Sequence, residues 1–137
     1  MRAKKPITYS GEQIGALPHK ELQYTPLEVI ADFFKTMRTL SPEMPTHRVL
    51  LLFYIAVYPG LTKPQMERLT SLSANAITQN LKELGDVGVK GEKGLNLITY
   101  VKEEGDKAFH FYLNTYGAML LRDFLHKLKG VFNNDST

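Results

Sequence analysis

Thr62-Lys-Pro-Gln-Met-Glu-Arg-Leu69, Thr70-Ser-Leu72, Ser73-Ala-Asn-Ala-Ile-Thr-Gln-Asn-Leu-Lys-Glu-Leu-Gly-Asp86 and the alternating runs around Glu103-Glu-Gly-Asp-Lys107 decide the fold. Thr62 and Gln65 fit a capping box, in which each side chain satisfies the other residue's free backbone N–H. Met66 and Leu69 are expected to point inward. After the short turn at 70–72, a second helix is expected from about Ser73 to Asp86. Ile77, Leu81 and Leu84 recur in it at spacings of four and three, the mark of a buried helical face. That leaves Asn75, Thr78, Gln79 and Lys82 outside. Downstream, Leu95, Leu97, Thr99 and Val101 alternate with Asn96, Ile98, Tyr100 and Lys102. Phe109, Phe111 and Leu113 alternate with His110, Tyr112 and Asn114. Two runs of period 2 around a Gly-Asp turn make a hairpin. Helix, tight turn, helix and hairpin, in that order, read as a winged helix-turn-helix.

Outward from this centre, four glycines between Gly85 and Gly94 end the second helix. Upstream, Val49-Leu-Leu-Leu-Phe-Tyr-Ile-Ala-Val57 is apolar on every side and reads as a buried central helix. A buried strand is the competing reading of so short a run. Thr46 is expected to cap this helix, and Tyr58-Pro-Gly60 to end it. Thr25-Pro-Leu-Glu28 opens another helix, with Thr25 as N-cap and Pro26 at the first helical position. Leu27, Ile30, Phe33, Phe34 and Met37 form its apolar stripe. Thr115 to Lys129 reads as a last helix, with Met119, Leu120, Phe124, Leu125 and Leu128 apolar. The expected organisation is an extended N-terminal arm over 1–24, a domain over 25–130 and a polar tail over 131–137. The fold class is mainly α with a small β-hairpin wing, flanked by α-helices as dimerisation elements.

The 137 residues suffice for one compact domain with a real core. Without cysteine, disulfides and thiolate metal sites are excluded, and the chain suits the reducing cytoplasm. No apolar run approaches the roughly 20 residues of a membrane span. The opening Met-Arg-Ala-Lys-Lys-Pro has no apolar segment behind it, so a signal peptide is not expected. A net charge of +3 leans towards a nucleic-acid partner. Much of that excess lies in the arm, and residues 46–115 carry nearly balanced charge. Phosphate contacts depend on local placement, so this balance is compatible with DNA binding.

These residues resemble the MarR-type winged-helix transcriptional regulators. The stretches that carry the resemblance are Arg48-Val-Leu50, Pro59-Gly-Leu-Thr62, Leu72-Ser73, Leu84-Gly-Asp-Val-Gly-Val89, Asp106-Lys107 and Leu113-Asn-Thr-Tyr-Gly117. The resemblance spans roughly Thr25 to Lys129. It implies a homodimer built by the outer helices, double-stranded DNA as partner, and small anions or phenolic compounds as effectors; which effector, if any, stays unknown. The family's wing usually carries an Asp followed by arginines. Here Lys107 and Ala108 follow Asp106, and Glu103 and Glu104 precede the turn.

The expected DNA-binding residues are Thr62, Lys63, Ser73, Asn75, Thr78, Gln79, Lys82, Lys102 and Lys107. Asn and Gln pair bidentately with adenine, Ser and Thr bond bases or phosphates, and Lys favours guanine or phosphate. The bland alternative for the helix 73–86 is an ordinary solvated face. Thr62 and Lys63 stand at a helix N-terminus, which attracts phosphate or is simply capped. Lys102 and Lys107 flank the wing turn and either hold phosphate or join a cross-strand charge cluster. Phe33, Phe34, Phe53, Tyr54, Tyr58, Tyr116 and Phe124 suggest a ligand pocket, or more simply core and dimer interface. His19, His47, His110 and His126 lack metal-ligand spacing. No phosphate loop, nucleophile elbow or catalytic carboxylate motif is present, so neither an enzyme nor a cofactor is expected. The expected function is a dimeric repressor that reads the major groove. The alternatives are a winged-helix replication or partition protein of a phage or plasmid, and a protein-interaction adaptor that binds no DNA.

Overall fold

A computed structural model describes residues 26–134, and the side chains of 26–132. The expected arm, the expected cap Thr25 and the last three residues lie outside the described residues. The elements run α1 (Pro26–Leu40), α2 (Thr46–Val57), α3 (Lys63–Thr70), α4 (Ala74–Leu84), β1 (Ile98–Val101), β2 (His110–Leu113) and α5 (Thr115–Asn134). This is the expected helix-turn-helix with a hairpin wing.

The run at 49–57 is helical, and it is the hub. Val49, Leu51, Leu52 and Ile55 of α2 are buried. On one side α2 packs against α3, α4 and β2. On the other, Phe53 meets Phe33 of α1 at 5.5 Å and Phe124 of α5 at 6.1 Å between ring centroids. Phe33 and Phe124 close the triangle at 4.4 Å. Burial is not uniform around α2, since Leu50 and Val57 are exposed. The cap also differs from expectation. Pro45, not Thr46, is the N-cap, and it brings no side-chain hydrogen bond. Its fixed φ of −67° still presets the chain for helical entry.

The turn between α3 and α4 is held by its own short polar side chains. Ser71 adopts a left-handed φ of 60° as C-cap and donates its N–H to Glu67 O. The Thr70 hydroxyl donates to Met66 O at 2.7 Å and accepts from Leu72 N–H at 3.2 Å. Ser73 then caps α4, its Oγ accepting from Ala76 N–H at 3.1 Å. Ile77, Leu81 and Leu84 are buried as the spacing predicts. Met66 is buried too, but Leu69 is 41% exposed, contrary to expectation. Helix α4 stops at Leu84, two residues before Asp86, because Gly85 leaves helical geometry at its C-cap.

The wing is an antiparallel pair in which Ile98 faces Leu113 and Tyr100 faces Phe111. Asn96 takes a left-handed φ of 55°, which breaks the alternation between Leu95 and Ile98. Leu97 and Ile98 are therefore both buried, while Thr99 and Val101 are exposed. Gly60 N–H donates to Phe111 O, and Phe111 N–H to Leu61 O, both at 2.9 Å. Leu61 thus adds a one-residue third strand to the wing's inner edge. At the tip, Asp106 N–H closes on Glu103 O at 3.0 Å. Gly105 sits at φ +84°, as the third residue of a type II turn requires.

Helix α5 is docked at its start by Asn114. Its Oδ1 accepts from Gly117 N–H at 2.9 Å, and its Nδ2 donates to Asn96 O at 2.8 Å. The helix continues through Gly130 to Asn134, beyond the expected end at Lys129. Leu121, absent from the expected stripe, is buried on it. Among the described residues no helix is long and apolar enough to cross a membrane.

One polar brace crosses the core. Asn80, on the inner face of α4, is 4% exposed. Its Oδ1 accepts from Arg48 Nε of α2 at 3.0 Å, and its Nδ2 donates to Ala76 O at 2.7 Å. Burial lowers the Arg48 pKa from the usual guanidinium value, and the nearby Glu83 charge opposes that shift. Two predictions follow from these contacts. Asn80→Ala leaves the half-buried guanidinium without its acceptor and should cost about 1–3 kcal/mol in urea denaturation. Arg48→Met combined with Asn80→Leu should recover most of that loss, since replacing both partners with apolar groups is close to neutral. In α5, a Cβ on Gly117 would strike the Leu97 carbonyl, whereas one on Gly130 meets nothing within 4 Å. Gly117→Ala should therefore destabilise by about 1–3 kcal/mol through overpacking, and Gly130→Ala should stabilise by about 0.5–1 kcal/mol. Equal signs for the two in thermal melts would contradict this packing.

Candidate nucleic-acid interface

The outward face of α4 carries Asn75, Gln79 and Lys82, all exposed, with Thr78 half-buried beside them. Their placement follows from the inner face. With Ile77, Asn80, Leu81 and Leu84 turned into the core, positions 75, 79 and 82 must face away. The Ser73 hydroxyl oxygen is engaged as the cap, which leaves its O–H as a donor. No acidic residue lies in the first turn of α4, and Lys82 lies in its last.

Thr62 is the N-cap of α3. Its N–H donates to Gln65 Oε1 at 2.9 Å, the backbone half of the expected capping box. Lys63 opens the helix, half-buried. Between α3, α4 and the wing runs a groove of about 770 Å³. Lys63, Thr78 and Lys82 reach it together, so three of the nine expected residues converge. Leu81, Ile98, Tyr100, Phe109 and Phe111 supply its apolar lining, and Asp86 adds a carboxylate to it.

The remaining expected residues stand apart from that groove. Lys102 lies beyond β1, its Nζ 5.3 Å from the centroid of the Phe109 ring. That is a cation–π distance, so this ammonium already has a partner on the wing. Lys107 is exposed directly after the turn, near the exposed Glu103 and Glu104. The aromatic residues of α1, α2 and α5 do not enclose a pocket. Among the described residues, the Phe33, Phe53 and Phe124 rings pack on one another, and a void of about 40 Å³ lies beside Phe33 and Phe124.

Three residues outside the expected set shape this surface. Asn80 and Arg48 lock the orientation of α4. The spacing of Asn80 from Ile77 and Leu84 places it inward, so its burial was readable, but its partner was not. His110 bonds both the wing turn and the loop before α3. Nδ1 lies 2.9 Å from Gly60 O, and Nε2 lies 2.6 Å from Asp106 Oδ2. Nothing in the spacing of the histidines marks it.

No family model and no curated protein sequence matches the chain. Solved structures do match. Streptococcus pneumoniae FabT, in a crystal structure of its complex with DNA, aligns with a TM-score of 0.50 at 17% identity, covering 80% of either chain. The disulfide-formed structure of AbfR aligns at 0.51 with 15% identity, over 88% of this chain and 79% of that one. The crystal structure of MarR aligns at 0.46 with 14% identity, over 88% and 85%. At these identities the likeness is one of fold: the chain is a winged helix-turn-helix of the architecture seen in FabT and AbfR.

Proposed function

We propose that this chain is a sequence-specific DNA-binding regulator of transcription, acting in the cytoplasm as a dimeric repressor. The observation that carries the reading is the exposed polar face of α4, held rigidly from behind and flanked by a wing. It occurs in a fold shared with FabT, a protein solved in complex with DNA. The face from Ser73 to Lys82 enters the major groove. Asn75 and Gln79 read base edges, since their amides match the donor and acceptor pair of adenine. Thr78, Lys82 and Lys63 line the rim of one groove and are placed to hold a phosphate strand between α4 and the wing. Thr62 presents a helix N-terminus to the same strand. Lys102 and Lys107 supply the wing's phosphate contacts.

The dimer is built by α1 and α5. These helices pack on each other and still leave Phe34, Met119, Leu125 and Phe132 exposed at 37%, 61%, 53% and 60%. Such apolar surface is a liability on a monomer and an asset at an interface. Two α4 helices then address half-sites about one helical turn apart. The groove beside α4 has the volume of a small-molecule site, so an effector seated there would compete with the phosphate strand.

Binding to DNA fragments selected from random and native pools tests the reading, with affinity followed against salt. A protein that retains no fragment at low salt is an adaptor, not a regulator of this kind. Asn75→Ala and Gln79→Ala should each cost about 1–3 kcal/mol on the selected site and little on scrambled DNA. Lys107→Ala should weaken both equally and reduce the salt slope by about one unit. Equal losses on both DNAs for the amide variants would remove them as readers. Light scattering at micromolar concentration should give twice the mass of one chain, and a monomer would refute the interface.

A further inference from the structure

His110 stands between two oxygens that can only accept. Nδ1 lies 2.9 Å from the Gly60 carbonyl oxygen, and Nε2 lies 2.6 Å from Asp106 Oδ2. A neutral imidazole carries one N–H and would set a lone pair against one of these oxygens. The imidazolium donates to both. Each acceptor is fixed by further bonds. Asp106 Oδ1 accepts from Ala108 N–H at 2.9 Å, and Asp106 N–H closes the wing turn on Glu103 O. Gly60 donates its N–H to Phe111 O at 2.9 Å, and Leu61 accepts from Phe111 N–H. One ring therefore joins the tip of the wing to the loop between α2 and α3.

We infer that His110 is a positioning residue, an imidazolium clamp that seats the wing on the α2–α3 loop and releases it when the ring loses its proton. The clamp governs more than the tip. Phe111, next to His110 and on the opposite face of β2, lines the groove opposite α4. Loosening the wing therefore changes the width of that groove.

The charges around the ring agree. Asp106 first, then the Gly60 carbonyl, raise the His110 pKa from the usual imidazole value against partial desolvation, and Glu103 adds to the effect. The Ala108 N–H first, then His110, lower the Asp106 pKa, with Lys102 of the adjoining strand contributing. From the α2–α3 loop the ring meets the Gly60 carbonyl, and Tyr112 of β2 sets its phenol against Gly60. A raised imidazole pKa contributes stability that is complete below 6.5 and is lost as pH rises through the folded value. A lowered carboxylate pKa contributes stability that is complete above 3.8 and is lost as pH falls through the folded value. The clamp is whole between those limits and opens on the alkaline side.

Imidazole nitrogen–proton NMR of the full chain, titrated from pH 5 to 9, tests the clamp without DNA. The His110 midpoint should lie above that of a histidine in an unstructured peptide, with both ring nitrogens protonated below it. The Gly60 and Ala108 amide resonances should move with the same midpoint. Asp106→Asn should lower that midpoint, and the protection factors of the wing amides, corrected for intrinsic base-catalysed exchange, should fall several-fold above it. A His110 midpoint at or below that of the unstructured peptide overturns the inference, as do Gly60 and Ala108 amides that ignore the titration. Extension to DNA rests on the function proposed above. Affinity for the selected site should fall several-fold across the same midpoint in the native chain and stay flat in His110→Gln. A pH-independent affinity in the native chain refutes that coupling. A chain that binds no DNA at any pH refutes the function instead, and the NMR midpoints still decide the clamp.

Discussion

The apolar girth of α2 is the constraint that organises the molecule. A helix with Val49, Leu51, Leu52 and Ile55 buried cannot be covered from one side alone. The chain covers it twice, with the helix-turn-helix and wing on one flank and the paired terminal helices on the other. Phe53 is where the terminal helices join α2, because its ring touches both Phe33 of α1 and Phe124 of α5. Burying large aromatic rings in mutual contact contributes more than area alone, by about 0.5–1.5 kcal/mol per pair. The terminal helices are therefore integral to the core that presents α4, and a change at their exposed faces reaches α4 through few layers of packing.

Two kinds of force hold the two halves of the candidate interface. Helix α4 is seated by full burial of Ile77 and Leu84, with the Arg48–Asn80 bond giving that seat a direction. Apolar contact alone tolerates rotation and sliding. A hydrogen bond from a half-buried guanidinium does not, because displacement strands a charge in a poor solvent. The wing buries far less. Thr99, Tyr100 and Val101 are exposed, and Ile98 and Phe111 are its anchors. Its position rests on hydrogen bonds at Leu61, Gly60 and Asp106. Segments held this way open at lower free energy than a packed helix. The groove between them thus has one fixed wall and one adjustable wall.

Much of this fold was legible because its determinants are local. Caps and turns declare themselves within four residues, so the Thr62–Gln65 box and the Gly-Asp hairpin were readable. The buried face of α4 was readable from period alone. Failures occur where tertiary contact or an unusual backbone decides. Asn96 in left-handed geometry breaks the alternation, so that Leu97 and Ile98 are both buried; asparagine tolerates that conformation, but period 2 alone does not mark where it occurs. Leu69, Leu27 and Phe34 fit apolar stripes, yet all three are exposed in the single chain. Periodicity reports which face is apolar, not whether this chain alone covers it. Gly130 seemed to end α5, but an exposed glycine in a well-docked helix costs only about 1 kcal/mol. At the interface, the outward residues of α4 were legible by subtraction. His110 was not, because Gly60 is distant in sequence and Asp106 lies back along the chain at the wing turn.

The electrostatic balance of the domain gives these mechanics a consequence. Residues 46–115 carry nearly equal numbers of acidic and basic groups, so general attraction to phosphate is weak. Lys102 is drawn onto Phe109, and Glu103 and Glu104 flank the wing turn. On the proposed reading, affinity must then come from a few placed groups on α3, α4 and the wing instead of a broad basic field. Such a surface discriminates well, because non-specific binding to DNA is almost wholly electrostatic. It also depends on geometry, since few contacts allow little error in their spacing. Lys63, Thr78 and Lys82 keep their spacing only while α3 and α4 stay braced against α2. In this chain the weak field and the rigid brace are complementary, and the adjustable wing is where affinity can be tuned without disturbing the reading helix.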